Sequence, residues 1–174
     1  MATGGIEIER RYLLDGPPST AELAELGARP RQVEQVYLRR VDDWVRRVRR
    51  VEESGVTRYI ATRKRDAAGI AGGIAREEIE ENLTVEEYGR MVAAADPDRR
   101  VIRKVRHVIP WAGWTLELDV FSDPPGLVML EVELNDPTDV PSLPATVSGR
   151  VVREVTDEIA YTNYSLALAL PEGT

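Results

Sequence analysis

The feature that most constrains the fold of this chain is a two-residue alternation of apolar and charged side chains, which recurs in eight segments. Alternation with this period is typical of β-strands, whereas amphipathic helices repeat about every 3.6 residues. Short turn sequences such as Asp42-Asp43 and Ser54-Gly55 separate neighbouring segments and favour antiparallel hairpins. The predicted strands span residues 6–14, 32–41, 44–53, 57–65, 75–83, 100–109, 114–121 and 127–135.

Helical segments are few and short. Capping patterns predict helices over 21–26 and 84–95, and two more are predicted over 145–155 and 161–170. The length of 174 residues suits one domain. We therefore expect a single mainly β (α+β) domain spanning 1–174, in which the last two helices either plug one end of the sheet structure or contact a second subunit in a homodimer.

Composition excludes several classes of function. The formal net charge is -7, and this excess of acidic residues argues against a binder of duplex nucleic acid or of anionic membranes. The chain has no cysteine and one histidine, His107, which excludes disulfide scaffolds and thiolate metal sites and disfavours a Ser-His-Asp triad. No targeting segment and no apolar run of about 18 residues is visible, so we expect a cytoplasmic protein.

The charged faces of the predicted strands are specialised. Carboxylates or bases two residues apart share a face on strand after strand, opposite an apolar face. If the sheet closes into a barrel with these faces inward, its interior would suit divalent cations that carry a polyanion. The inward set would contain eight carboxylates (Glu7, Glu9, Glu78, Glu80, Glu117, Asp119, Glu131 and Glu133) and six bases (Arg11, Arg47, Arg49, Lys64, Lys104 and Arg106).

The alternative is that these faces are solvated and make cross-strand ion pairs on the outside of a sheet. For a single strand this is the ordinary arrangement, and only its repetition on several strands favours the barrel. The third strand permits either orientation, because Arg46 and Arg50 share one face and Arg47 and Arg49 share the other.

A series of ordered motifs resembles the CYTH superfamily of triphosphate tunnel metalloenzymes. The stretch Glu7-Ile8-Glu9-Arg10-Arg11 resembles the ExExK signature of that superfamily, with arginine in the lysine position. The motifs that follow along the chain are Tyr37-Leu38, Arg47-Val48-Arg49, Thr62-Arg63-Lys64, Arg76-Glu77-Glu78-Ile79-Glu80, Lys104-Val105-Arg106, Glu117-Leu118-Asp119-Val120-Phe121, Glu131-Val132-Glu133, and Val155-Thr156-Asp157 with Tyr161-Thr162-Asn163.

This resemblance implies an eight-stranded antiparallel β-barrel whose polar tunnel binds a triphosphate and Mg²⁺ or Mn²⁺. It implies that Arg47 and Arg49 face inward. The triphosphate clamp would comprise Arg11, Arg47, Arg49, Lys64, Lys104 and Arg106. The metal ligands would be Glu7, Glu9, Asp119, Glu131 and Glu133, with Glu78, Glu80 and Glu117 nearby.

The activity implied is metal-dependent hydrolysis of inorganic triphosphate or of a small organic triphosphate. A class IV-type adenylate cyclase, which makes cyclic AMP and pyrophosphate from ATP, is an alternative within the same superfamily. Hydrolysis is favoured because the residues before Glu7 lack the histidine-bearing stretch associated with those cyclases. A non-catalytic sensor of triphosphate or polyphosphate and a plain β-barrel interaction module are the alternatives outside enzymes.

Two residues carry open interpretations. Tyr37 is either a catalytic proton carrier, if Lys104 lies near enough to lower its pKa, or a packing residue with a hydrogen-bonded hydroxyl. His107 falls on the strand face opposite Lys104 and Arg106, and we interpret it as structural.

Overall fold

The computed structural model describes residues 1–67 and 74–168, and in this part of the chain nine strands form one antiparallel sheet. Eight of the strands follow the order β5-β4-β3-β2-β6-β7-β8-β1, and pairing of β5 with β1 closes them into a barrel. The closed eight-stranded antiparallel barrel is thereby confirmed. The strands are β1 (Thr3–Leu14), β2 (Arg29–Val41), β3 (Trp44–Glu53), β4 (Val56–Asp66), β5 (Ala75–Leu83), β6 (Ile102–Trp111), β7 (Trp114–Asp123), β8 (Pro125–Glu133) and β9 (Val151–Glu154).

The helices are peripheral and short. They are α1 (Thr20–Glu25), α2 (Val85–Ala93), α3 (Ala145–Ser148) and α4 (Asn163–Leu166), with a 3₁₀ turn at Ile159–Tyr161. Ser19 and Thr84 begin the first two with complete capping boxes to Glu22 and Glu87. The helix predicted over 161–170 is reduced to the end of the 3₁₀ turn and α4, and the last two residues of that range lie outside the described residues. No helix among the described residues is long and apolar enough to cross a membrane.

Strand β9 occupies the edge of β1 that the barrel leaves open. Residues 3–8 of β1 pair with β5, and residues 9–14 pair with β8. The other edge of this second half has no barrel partner, and β9 pairs there with Tyr12, Leu13 and Leu14. The helix predicted over 145–155 is therefore wrong in its second half, where a strand completes the pairing of β1.

In the described part of the chain the apolar core consists of three clusters, of which one lies inside the barrel at one end. There the C-terminal segment of residues 155–167 contributes Val155, Tyr161 and Leu166, which pack against Leu13 and Phe121 of the barrel. The other two clusters cover the outside of the barrel, one of them including Tyr88 of α2. The C-terminal segment thus plugs one end of the barrel, and the remaining interior is free for charged side chains.

Candidate active site

A cavity of about 740 Å³ runs through the barrel interior. The two-residue period of each strand brings alternate side chains to this interior, so that the charged faces converge. Of the residues predicted for the site, all except Asp119 line the cavity, including Tyr37, Arg47 and Arg49. The residues of the opposite face of β3, Arg46 and Arg50, do not line it.

Asp119 lies behind the cavity wall, where it binds two bases. Its side chain is 1% exposed, and its Oδ2 lies 2.5 Å from Lys104 Nζ. Arg106 donates to it from Nε and Nη2, each at 2.7 Å, in a bidentate pair. The sequence predicts Asp119 as a metal ligand; in this structure it does not line the cavity and pairs with Lys104 and Arg106. Burial and the charge of Arg106 lower the pKa of Lys104.

Glu131 and Asn163 complete this side of the site. Glu131 accepts a hydrogen bond of 2.5 Å from Arg106 Nη2 and one of 3.3 Å from Asn163 Nδ2. Burial opposes ionisation of Glu131, but the charges of Arg106 and Lys104 prevail and lower its pKa. Asn163 also accepts from Lys104 Nζ at 3.1 Å, so that α4 contributes directly to the charged site.

The opposite wall contains further ion pairs. Lys64 Nζ lies 2.5 Å from Glu7 and 2.7 Å from Glu78. Arg76 Nη2 lies 2.6 Å from Glu9. Arg76 was not among the predicted clamp residues, although its alternation with Glu78 and Glu80 would have identified it. With Arg76 added and Asp119 behind the wall, seven carboxylates and seven bases of this set line the cavity.

Three cavity arginines have unsatisfied donors. The Nε atoms of Arg11, Arg47 and Arg49 are buried and have no hydrogen-bond partner among the described residues. The remaining contacts are partial, since Arg47 Nη1 donates to Gln35 at 3.2 Å and Arg11 Nη2 donates to the Thr156 carbonyl. Burial and the neighbouring Arg47 lower the pKa of Arg49 to about 10. Unsatisfied buried donors are costly, and a bound anion would supply their acceptors.

Two carboxylates with raised pKa values lie on the same cavity near β1 and β8. Glu133 is exposed and has no ion-pair partner among the described residues, and limited desolvation together with the charges of Glu117 and Glu7 raises its pKa. Burial and the charges of Glu7 and Glu131 likewise raise the pKa of Glu9. Carboxylate oxygens are the donors that Mg²⁺ and Mn²⁺ prefer, so this set fits a hard divalent cation chemically. Within the described residues, however, no three such side chains already converge as a formed metal site.

Tyr37 is a packed residue at the plugged end. Gln35 Nε2 donates to its hydroxyl at 2.8 Å, and its ring lies edge-on to Tyr164 with centroids 5.2 Å apart. Burial raises the pKa of Tyr37, and the charge of Arg47 opposes this shift only in part. The pKa is not lowered, as the proton-carrier interpretation would require, and this favours the packing interpretation.

Comparison with known proteins relates the fold to solved structures. No protein-family model matches the sequence, and no curated protein matches it significantly. The PH1819 protein of Pyrococcus horikoshii is 18% identical over 76% of this chain and 80% of its own, with a TM-score of 0.55. A conserved hypothetical protein from Pyrococcus furiosus is 17% identical over 95% of this chain and 92% of its own, with a TM-score of 0.52.

A third structure comes from Bacillus halodurans and is described as a "putative adenylate cyclase". It is 16% identical over 82% of this chain and 96% of its own, with a TM-score of 0.52. At these identities the likeness shows a shared fold, and the chemistry must be argued from the cavity itself.

Proposed function

We propose that this protein is a metal-dependent triphosphatase of the CYTH type, which hydrolyses inorganic triphosphate or a small organic triphosphate inside the barrel. The ordered motifs of the sequence, the closed eight-stranded barrel and the fold shared with the Bacillus halodurans protein support this proposal.

The proposal rests on one observation, which is that the same cavity contains arginine donors without acceptors and carboxylates with raised pKa values. The buried Nε donors of Arg11, Arg47 and Arg49 lack acceptors among the described residues, while desolvation and neighbouring carboxylates raise the pKa values of Glu9 and Glu133. A cation alone would leave the arginines unsatisfied, and an anion alone would leave the carboxylates crowded. A polyphosphate bound together with a divalent cation would supply acceptors to the arginines and positive charge to the carboxylates.

The bases and the carboxylates of the cavity would have separate roles. The bases of the clamp would bind the phosphate oxygens, with Arg76 added to the predicted set. Glu7, Glu9, Glu131 and Glu133 are the carboxylates best suited to hold Mg²⁺ or Mn²⁺. When bound, such a cation neutralises phosphate charge and lowers the pKa of a coordinated water. Phosphoryl transfer needs little more from the protein than this positioning and charge stabilisation.

An adenylate cyclase is the second candidate, because the description of the Bacillus halodurans protein favours it. In that reaction the 3′-hydroxyl of ATP attacks the α-phosphorus, and pyrophosphate leaves. The same bases would bind the phosphate chain in both reactions, so the two candidates differ in nucleophile and product.

The deciding experiment measures phosphate and cyclic AMP released from inorganic triphosphate, ATP, GTP and thiamine triphosphate, with Mg²⁺ or Mn²⁺ and with EDTA. We expect metal-dependent release of phosphate, abolished by Lys104→Ala and by Glu131→Gln. Arg103→Ala is the matched control, because Arg103 lies next to Lys104 in β6 but its half-exposed side chain pairs with Glu34 and Asp123.

Each other outcome has a definite meaning. Cyclic AMP with pyrophosphate would assign the cyclase reaction. Tight triphosphate binding without turnover would assign the sensor, and full activity in EDTA or in either cavity variant would contradict the proposed site.

A further inference from the structure

Gln35 is a buried amide that connects the cavity to the packed residues at its plugged end. It lies on β2, lines the cavity and is 1% exposed. Its Oε1 accepts a hydrogen bond from Arg47 Nη1 at 3.2 Å, and its Nε2 donates to the Tyr37 hydroxyl at 2.8 Å. A guanidinium has donors only, so the oxygen of this amide must face Arg47. Gln35 therefore serves Arg47 as an uncharged acceptor.

Arg47 differs from most bases of the cavity in the kind of partner it has. With Arg76 included, five of the seven clamp bases form ion pairs with carboxylates, and these are Arg49, Lys64, Arg76, Lys104 and Arg106. Arg11 and Arg47 form no ion pair among the described residues, and each donates instead to a neutral oxygen. For Arg11 this oxygen is a backbone carbonyl. For Arg47 it belongs to a side chain, which a single substitution can change.

The position of this contact leaves one edge of the Arg47 guanidinium open. Gln35 binds Nη1, whereas Nε is buried and has no hydrogen-bond partner among the described residues. Nε and Nη2 form the other edge of a guanidinium, which matches two oxygens of a phosphate in a bidentate contact. A carboxylate in place of the amide would hold Arg47 in an ion pair, and phosphate would have to compete with it. The amide holds Arg47 by a hydrogen bond without an opposing charge.

From this geometry we infer that Gln35 is a positioning residue of the triphosphate site, which orients Arg47 and leaves its charge available to the phosphate. This inference rests on the proposed function and deepens it, since it concerns the same cavity. The five bases that pair with carboxylates must exchange partners when triphosphate binds. Arg47 keeps its contact with Gln35 and donates to the phosphate from its other edge.

The test measures binding of imidotriphosphate, which is not hydrolysed at the substituted bond, by calorimetry with Mg²⁺. Gln35→Glu keeps the shape of the side chain, and its carboxylate can accept from both Arg47 and the Tyr37 hydroxyl. We expect this variant to bind at least about 10-fold more weakly, because the carboxylate pairs with Arg47 and repels the phosphate. A merely structural role of Gln35 predicts unchanged binding instead, since the variant keeps the contacts of the amide.

Gln32→Glu is the matched control. Gln32 lies on the same strand, but its side chain is exposed and does not line the cavity. The substitution therefore makes the same change of net charge outside the site. We expect its affinity for imidotriphosphate to equal that of the wild-type protein. Thermal unfolding of each variant verifies that it is folded.

A second variant tests whether Gln35 acts through Arg47. Gln35→Met keeps the approximate volume of the side chain but loses the acceptor. It should weaken binding by about 5-fold, a loss typical of one hydrogen bond. In an Arg47→Met background the same substitution should have no further effect, because no guanidinium remains to be oriented. Additive losses would show that Gln35 acts independently of Arg47 and would overturn the inference.

The outcomes separate this inference from the proposed function. Unchanged binding by Gln35→Glu would overturn the inference even if the wild-type protein hydrolyses triphosphate. Weakened binding by Gln35→Glu but not by Gln32→Glu, without hydrolysis by the wild-type protein, would support the inference and overturn the triphosphatase. Failure of the wild-type protein to bind imidotriphosphate would overturn both.

Discussion

Lys104 Nζ lies 2.5 Å from Asp119 Oδ2, and both side chains are almost entirely buried. Of the two, only Lys104 reaches the cavity. The carboxylate thus stabilises the charged form of a base whose pKa burial lowers.

Asp119→Asn should therefore impair catalysis through Lys104 and Arg106. Displacement of these bases should reduce kcat by about 100-fold, the cost expected of a small misplacement of catalytic groups. Loss of one partner from a buried ion pair should also lower the free energy of unfolding by about 3–5 kcal/mol.

The pH profile of the Asp119→Asn variant distinguishes loss of positioning from simple destabilisation. The pKa of Lys104 should fall further in the variant, so its activity should decline at a lower alkaline pH than in the wild type. An unshifted alkaline limb would contradict this role of Asp119.

Cation and triphosphate should bind cooperatively. The cavity contains three ion pairs, which are Lys64 with Glu7, Arg76 with Glu9, and Arg49 with Glu80. Binding of the triphosphate to the bases separates these pairs and frees the carboxylates for the cation. Binding of the cation to the carboxylates likewise frees the bases for the triphosphate. Typical couplings lie between about 5-fold and 150-fold, and linkage requires the factor to be equal in both directions. Calorimetric titration of imidotriphosphate with and without Mg²⁺, and of Mg²⁺ with and without imidotriphosphate, measures it. Independent binding of the two ligands would refute the exchange of partners.

Glu133→Gln should stabilise the fold while it weakens cation binding. The pKa of Glu133 is raised in the folded state, so the folded state binds its proton more tightly than the unfolded chain does. The contribution of Glu133 to the free energy of unfolding therefore decreases as pH rises from the usual carboxylate pKa through the raised pKa of this group. Above that pH range the destabilisation is complete. The variant should show a higher Tm than the wild type at neutral pH and no difference at acid pH. Glu81→Gln, on an exposed position of β5, is the control. A lower Tm at neutral pH would show that Glu133 is already compensated.

Tyr37→Phe tests the packing interpretation. The variant keeps the ring contact with Tyr164 and loses the hydrogen bond from Gln35, which should cost about 1 kcal/mol of stability. We expect kcat to remain close to that of the wild type. A proton-transfer role would instead lower kcat by about 100-fold or more, and steady-state kinetics on the preferred triphosphate separates the two results.

The sequence was most informative about which face of a strand a side chain lies on, because alternate residues of a strand share a face. Alternation placed Glu131 and Glu133 on one face and Lys104 and Arg106 on another, and all four line the cavity. The alternation does not predict, however, whether an inward side chain reaches the cavity surface or is covered by its neighbours. Asp119 has the same parity as Glu117, yet it lies behind the wall because two bases cover it.

Other features depend on contacts between distant parts of the chain. Strand β9 has four residues, and only the unpaired edge of β1 makes it a strand. Asn163 reaches Lys104 and Glu131 because the C-terminal segment folds back into the barrel, which no local pattern indicates. Arg76 differs from these cases, since its alternation with Glu78 and Glu80 already places it on the inward face of its strand.

The plug formed by residues 155–167 follows all eight barrel strands along the chain. A chain shortened after β9 would therefore keep every barrel strand and lose part of the cavity wall. Without α4, one end of the interior lacks its apolar cover, and Lys104 and Glu131 lack the amide of Asn163. A chain shortened after β9 should therefore expose both ends of a strongly charged channel.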